Sequence, residues 1–241
     1  MLFLRYDQTF LQANTYILAD DDERSALVVD PGAGSRAWIQ QTLAETNLTL
    51  GAVLLTHGHP DHVWDSASVA GDKPVYIAQP DAYRMDDPNA FLPADSGREL
   101  ALRRLGGSDW KKPSNLELLP ADIFSTSVEL VPGIAMRAVP APGHTEGSTV
   151  FLIEGQVTNV PYSIMLPTGR REKFLLGGDV IFNGGIGRTD FPGGDEHQMV
   201  ATLRLLVNVI RPETYILPGH GPLTTMFHET RHSPFLHAAM S

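Results

Sequence analysis

The sequence predicts a mixed α/β (α+β) fold, on three observations. Short apolar runs rich in β-branched residues recur along the chain, a few segments carry helical spacing instead, and polar residues gather in the turns directly after predicted strands. Polar loops that follow strands lay out a site along one edge of a sheet scaffold. With 241 residues, 42% of them hydrophobic, the chain can bury a full core as one large domain, residues 1–241.

The elements follow in order. "NTYILAD" and "SALVVDPG" flank the acidic turn "DDDER" and predict a hairpin. "SRAWIQQTLAET" predicts an amphipathic helix, with Ser35 as its N-cap and Trp38, Ile39 and Leu43 on its apolar side. "GAVLLT" is a buried strand and "KPVYIA" another, followed by "QPDAYRM", which can start a helix. Residues 86–127 loosen into sequence rich in Pro, Gly and Asp around the helical fragment "GRELALRRL", and read as an insertion or lid. "SVELVPG", "IAMRAVPAPGHT", "STVFLIEG" and "KFLLGGD" are strand-like, each bounded by turn residues. "DEHQMVATLRLLVNVI" is the clearest helix, with Met199, Leu203, Leu206 and Ile210 along one face, and "ETYILPGHG" closes with a strand.

Composition narrows the function. A formal net charge of -10 repels phosphate backbones, so nucleic acid is not an expected partner. The absence of cysteine removes disulfides, thiolate ligands and cysteine nucleophiles together. The first residues carry neither an export signal nor a membrane anchor, and the expected location is the cytoplasm.

The chemistry concentrates in "THGHPDHVWD", residues 56 to 65. His57 and His59 stand two positions apart, so an extended backbone points both imidazoles to one side and toward one cation. A helix starting after His59 would swing Asp61 and His62 onto a neighbouring position, where they can hold a second. His144 in "PAPGHTEGS" and His220 in "LPGHGP" each follow a strand and a Pro-Gly turn, and join the first cluster as ligands. Asp179 follows two glycines at the end of "FLLGGD", where a carboxylate can bridge two cations. His197, His228, His232 and His237 lack such settings. Thr56, Asp30 and Thr145 read either as partners holding the ligand imidazoles or as strand-end hydrogen bonds. Arg188 and Asp190 read either as a substrate-contacting loop or as a structural ion pair. Arg103, Arg104, Lys111 and Lys112 form a positive cluster in an acidic chain, suited to a substrate carboxylate or simply to a solvated helix face.

"THGHPDH", "PGHT", "GGD" and "PGHG", in that order, resemble the metallo-β-lactamase superfamily, and "VVDPG", "GRTDFPGGD" and "GHGPLTT" resemble its glyoxalase II-like (hydroxyacylglutathione hydrolase-like) branch. The resemblance covers nearly everything except 86–127. It implies an αββα four-layer sandwich with metals at the edge between two sheets. It also implies one metal site of His57, His59 and His144, a second of Asp61, His62 and His220, and Asp179 between them.

Two divalent cations, zinc first with iron and manganese also able to occupy such sites, would lower the pKa of a shared water and supply a hydroxide near neutral pH. Asp61 can help to orient that nucleophile. The expected reaction is hydrolysis of a thioester of a low-molecular-weight thiol. Full glyoxalase II enzymes carry a C-terminal helical domain, whereas only 21 residues follow His220 here, with Arg231 and Pro234 to Leu236 expected to pack or reach the pocket edge. The alternatives are a persulfide dioxygenase holding one iron through His57, His144 and Asp179, and a lactonase on the same scaffold.

Overall fold

The computed structural model describes residues 1–8, 11–92, 97, 100, 102–104, 109–158 and 166–241. The strands are β1 (Leu2–Asp7), β2 (Asn14–Ala19), β3 (Ser25–Val29), β4 (Thr49–Leu54), β5 (Val75–Ile77), β6 (Leu116–Leu118), β7 (Val128–Val131), β8 (Ile134–Pro140), β9 (Thr149–Gln156), β10 (Arg171–Gly178), β11 (Ile181–Phe182), β12 (Gly185–Ile186), β13 (Tyr215–Pro218) and β14 (Thr224–Thr225). Six of them form one sheet in the order β1-β2-β3-β4-β5-β6, six form a second in the order β14-β13-β10-β9-β8-β7, and β11 pairs with β12.

Alternation along the strands decides which side of each sheet faces what. Leu27, Val29, Ala52 and Leu54 turn inward and meet Met136, Phe151, Phe174 and Leu217 of the second sheet. Their neighbours Val28, Val53 and Leu55 turn outward against Ile39, Ala70 and Met85 on helical segments. The second sheet repeats the scheme: Val150, Leu175 and Ile216 face Met199, Leu203 and Leu206 of the helix Glu196–Val209 and Leu236 of the helix Pro234–Met240. Two sheets back to back with helices outside make the αββα sandwich. Each fully buried Leu, Ile or Phe in these layers contributes roughly 1.5–3 kcal/mol.

The predicted hairpin forms with Ile17 opposite Val28. The long helix Glu196–Val209 buries the face read from its spacing and is capped by Asp195, whose side chain accepts from the Gln198 N–H. Two readings change. Ser35 does not cap the helix Arg36–Glu45; its hydroxyl donates to the Gly32 carbonyl, and Asp65 Oδ2 accepts from the N–H groups of Gly34 and Arg36 instead. Residues 86–127 are also not all insertion. β6 pairs in parallel with β5, and Leu119 and Ile123 are buried between the sheets. A three-residue edge strand with one half-buried position carries too little alternation to be read from sequence. In the rest of that segment Leu102–Arg104 are helical, Leu102 packs with Ala33 and Trp64, and residues 98, 99, 101 and 105 lie outside the described residues.

No helix among the described residues is long and apolar enough to cross a membrane.

Candidate metal centre

Four loops deliver the site to one edge of the sandwich. β4 runs into Thr56 and His57, and the backbone stays extended through His59 (φ -77°, ψ 145°), which caps the short helix Pro60–Val63. Pro60 at the first helical position sets the turn that carries Asp61 and His62 to a new direction. β8 leads through a Pro-Gly turn to His144, β10 ends at Gly178 before Asp179, and β13 ends at Pro218 before Gly219 and His220. β10 and β13 run parallel, and Gly219 donates its N–H to the Gly178 carbonyl at 2.7 Å, which places Asp179 beside His220. Thr149 donates to the Thr56 carbonyl at 3.0 Å, joining the two sheets at the first histidine.

Among the described residues the donor atoms of the predicted ligands converge in two groups, and a third cluster joins Asp30 to His57 and His62. His57, His59 and His144 place one ring nitrogen each within 4.8 Å of one another, and so do the donor atoms of Asp61, His62 and His220. Asp179 lies between: Oδ1 is 3.3 Å from His62 Nε2, while Oδ2 is 3.3 Å from His220 Nε2 and 3.5 Å from His144 Nε2. Gly219 is needed at this point, because a Cβ there would stand 2.1 Å from Asp179 Oδ1 and 2.9 Å from His62 Cε1. Gly178 takes a left-handed φ of +46°, and a Cβ on it would meet Thr56 Oγ1 at 2.6 Å.

Hydrogen bonds to the far nitrogens assign the tautomers. His144 Nδ1 donates to the Arg188 carbonyl at 2.7 Å, and His220 Nδ1 to the Leu11 carbonyl at 2.8 Å. His62 Nδ1 donates to Asp30 Oδ2 at 3.0 Å. Thr56 Oγ1 gives its hydrogen to Asp30 Oδ2 at 2.7 Å, so it accepts from His57 Nδ1 at 3.1 Å. In its neutral form each of these four rings carries its lone pair on Nε2. In neutral rings the 3.2 Å approach of His62 Nε2 to His220 Nε2 sets two lone pairs against one another, while His59 Nδ1, 2.8 Å from His144 Nε2, can donate to it. His57 Nε2 and Asp179 Oδ1 are buried with no hydrogen-bond partner. A divalent cation resolves both features, and this donor set of imidazoles and carboxylates fits one.

Electrostatics divide the two groups. Burial, with the neighbouring imidazoles adding to it, holds His57 and His59 well below the usual histidine value, so both rings are neutral. Burial opposes charge on His62 and His220 too, but Asp179 and Asp61 outweigh it, raising His62 well above its ordinary value and His220 to about 10. Burial likewise favours neutral Asp61 and Asp179, yet these histidines pull both below the usual carboxylate range. The second group therefore collects protons where a cation would sit.

The centre opens into a cavity of about 320 Å³ whose walls include Leu11, Leu92, Phe182, Ile186, Arg188 and Phe191. Arg188 pairs with both oxygens of Asp190 at 2.7 Å and lies 3.6 Å over the Phe191 ring, so the ion pair and the cavity wall are one feature. The basic cluster sits elsewhere. Arg103 pairs with Asp109 at 3.3 Å and Lys112 with Asp86 at 2.5 Å, and neither these nor Arg104 and Lys111 are among the described residues lining the cavity. Leu236 is buried in the outer layer and Arg231 lies over Phe227, so this tail packs rather than lines.

Asp30 holds the His62 ring and Thr56 the His57 ring. Thr145 holds neither: its hydroxyl donates to Asp81 Oδ2 at 2.8 Å. Asp81 and Arg84, both fully buried, were missed in the sequence. The available signal was a carboxylate and a guanidinium three residues apart in an otherwise apolar segment, a spacing common on exposed helix faces.

Sandwich and site together define the class of metallo-hydrolases. The chain belongs to the metallo-β-lactamase superfamily, whose family model matches residues 8–158. It is 31% identical over 220 residues to hydroxyacylglutathione hydrolase GloC of Haemophilus influenzae, covering 90% of each chain. Among solved structures it is similar to the BLEG-1 B3 metallo-beta-lactamase, at 28% identity, a TM-score of 0.72 and coverage of 98% of this chain and 99% of that one. It is also similar to TTHA1623 in a di-iron-bound form, at 29% identity, a TM-score of 0.68 and coverage of 96% and 98%.

Proposed function

We propose that this protein is a two-metal hydrolase of the cytoplasm, with zinc as the first expectation, that cleaves a thioester of a low-molecular-weight thiol. The observation that carries the reading is the pair of converging donor groups sharing Asp179 at the floor of a cavity with apolar walls and one guanidinium. Divalent cations held there supply an activated water and polarise the scissile carbonyl. His57, His59 and His144 would hold one, Asp61, His62 and His220 the other, with Asp179 reaching both. Asp61, on the cavity wall beside His220, would also orient the attacking water. Ile186, Phe182 and Phe191 exclude bulk water and suit an acyl chain, while Arg188 suits a carboxylate on the thiol. The GloC name supports this substrate class, and the di-iron form of TTHA1623 supports two metals.

A one-iron dioxygenase of the same superfamily would use His57, His144 and Asp179 while carrying the same full set of side chains, so metal count and reaction, not the donor set, separate the two readings. Elemental analysis of the purified protein, followed by a panel of hydroxyacyl thioesters of glutathione and related thiols with lactones as competitors, tests the reading. Two divalent ions per chain with thioester turnover are expected. One iron per chain, with oxygen uptake on a thiol persulfide, overturns it.

A further inference from the structure

Beneath the three-histidine group lies a buried ion pair that contacts no ligand side chain. Asp81 Oδ2 accepts from the Gly58 N–H at 2.7 Å and from Thr145 Oγ1 at 2.8 Å, and Oδ1 accepts from the Gly147 N–H at 2.7 Å. Gly58 is the residue between His57 and His59, and Thr145 follows His144. One carboxylate thus grips both loops that supply that group. Arg84 Nε stands 3.3 Å from Asp81 Oδ1, and Nη2 donates to Glu146 Oε2 at 2.5 Å and to the Pro192 carbonyl at 2.8 Å. Pro192 directly follows Phe191, so the guanidinium extends the grip to the cavity wall. The fit is close on every side: a Cβ on Gly58 would stand 2.8 Å from Arg84 Cβ and Cδ, and one on Gly147 would stand 2.6 Å from Asp81 Cγ. The Arg84 guanidinium also lies 4.4 Å over the Phe91 ring.

Burying an ion pair is unfavourable unless its contacts offset the lost hydration, and here those contacts go to the backbone of the loops around the site. In the loop 57–62 Asp81 holds Gly58, between His57 and His59, and its other two hydrogen bonds go to Thr145 and Gly147 after His144; none reaches Asp61, His62 or the loops of Asp179 and His220. We propose that Asp81 is a positioning residue that sets the spacing of the His57, His59 and His144 group, separately from the Asp61, His62 and His220 group, and that Arg84 is a positioning residue that locks this group to the Phe191 wall. The inference rests on the two-metal reading above.

The test is cobalt(II) titration of the metal-stripped full-length protein, followed by visible absorption and calorimetry, for wild type, Asp81→Asn, Arg84→Lys, His59→Ala and His220→Ala. Asp81→Asn keeps the size of the side chain but cannot accept from all of these donors. It is expected to weaken one cobalt equivalent by about 10- to 100-fold, the usual cost of removing a partner that orients ligands. The remaining spectrum should match that of His59→Ala and not that of His220→Ala. Arg84→Lys keeps the charge beside Asp81 but loses the fork to Glu146 and Pro192, so its cobalt titration should stay near wild type while KM for the thioester rises more than kcat falls. Wild-type titration by Asp81→Asn overturns the proposal, and so does parallel weakening of both equivalents with a lower Tm. A wild type that binds a single cobalt refutes the two-metal reading, which is a different outcome from any change between variant and wild type.

Discussion

Asp30 Oδ2 stands 3.0 Å from His62 Nδ1, and the same oxygen accepts from Thr56 Oγ1 at 2.7 Å, so one carboxylate orients a ligand imidazole from each donor group. Asp30 holds this position at a φ of +50°, a conformation that Asp tolerates better than most residues. Asp30→Ala should lower metal affinity by about 10- to 100-fold at both positions, since His62 loses its partner and the Thr56 hydroxyl is freed to donate to His57. Competition of the metal-loaded variant against a chromophoric chelator measures this. Unchanged affinity at both positions contradicts the assignment.

Removing a ligand itself should be harsher on turnover than on the fold. His59→Ala and Asp179→Ala are expected to lose thioester turnover while keeping the far-UV circular dichroism of wild type, because the sandwich core lies between the sheets and not under the loops. His228→Ala is the control: the residue is exposed and stacks only on His232, so kcat and Tm should both hold. Full activity in either ligand variant would sink the site assignment.

The metal-stripped protein should lose stability as the solution becomes alkaline. Burial works against the charge on His220, but the Asp179 and Asp61 carboxylates raise its pKa to about 10, and His62 moves in the same direction. A folded-state value above the unfolded value of about 6.5 contributes stability that is complete below about pH 6.5 and is lost as pH climbs toward about 10. His57 and His59, held low, add their contribution above their unfolded value and do not oppose this trend in the same window. The Tm of chelator-treated protein should therefore fall between about pH 7 and about pH 10. Metal takes the place of these protons, so the rise in Tm on adding zinc should grow over that window. A metal-free Tm that is flat or rises there is the contrary result.

Arg188 faces the cavity with its charge balanced by Asp190. Arg188→Leu should raise KM by about 10- to 100-fold for thioesters whose thiol carries a carboxylate, the range expected on losing a hydrogen bond to a charged group. It should change KM little for a thioester of an uncharged thiol such as 2-mercaptoethanol. Equal effects on both substrates would assign Arg188 to the wall alone.

The sequence by itself made the histidine cluster at 57–62 legible, because its spacing is local. His57 and His59 share a side through the two-residue period of an extended chain, and Pro60 starts the turn that redirects Asp61 and His62 within the same ten residues. Period-two and helical spacing likewise made the main strands and the helix Glu196–Val209 legible. Tertiary structure decided what depends on contacts between distant segments. Asp30, Thr56 and Thr145 looked alike as strand-end polar residues, and only the pairing of loops showed that the first two hold imidazoles while the third holds Asp81. β6 became a strand only because β5 offers it a parallel edge. Arg84 reads in sequence as an ordinary surface cation, and it is buried because Gly58 and Gly193 leave room for it, as Gly147 does for Asp81, where loops from distant parts of the chain converge. Local spacing fixes where a side chain points relative to its neighbours, whereas burial and partner depend on which loops the sheets bring together.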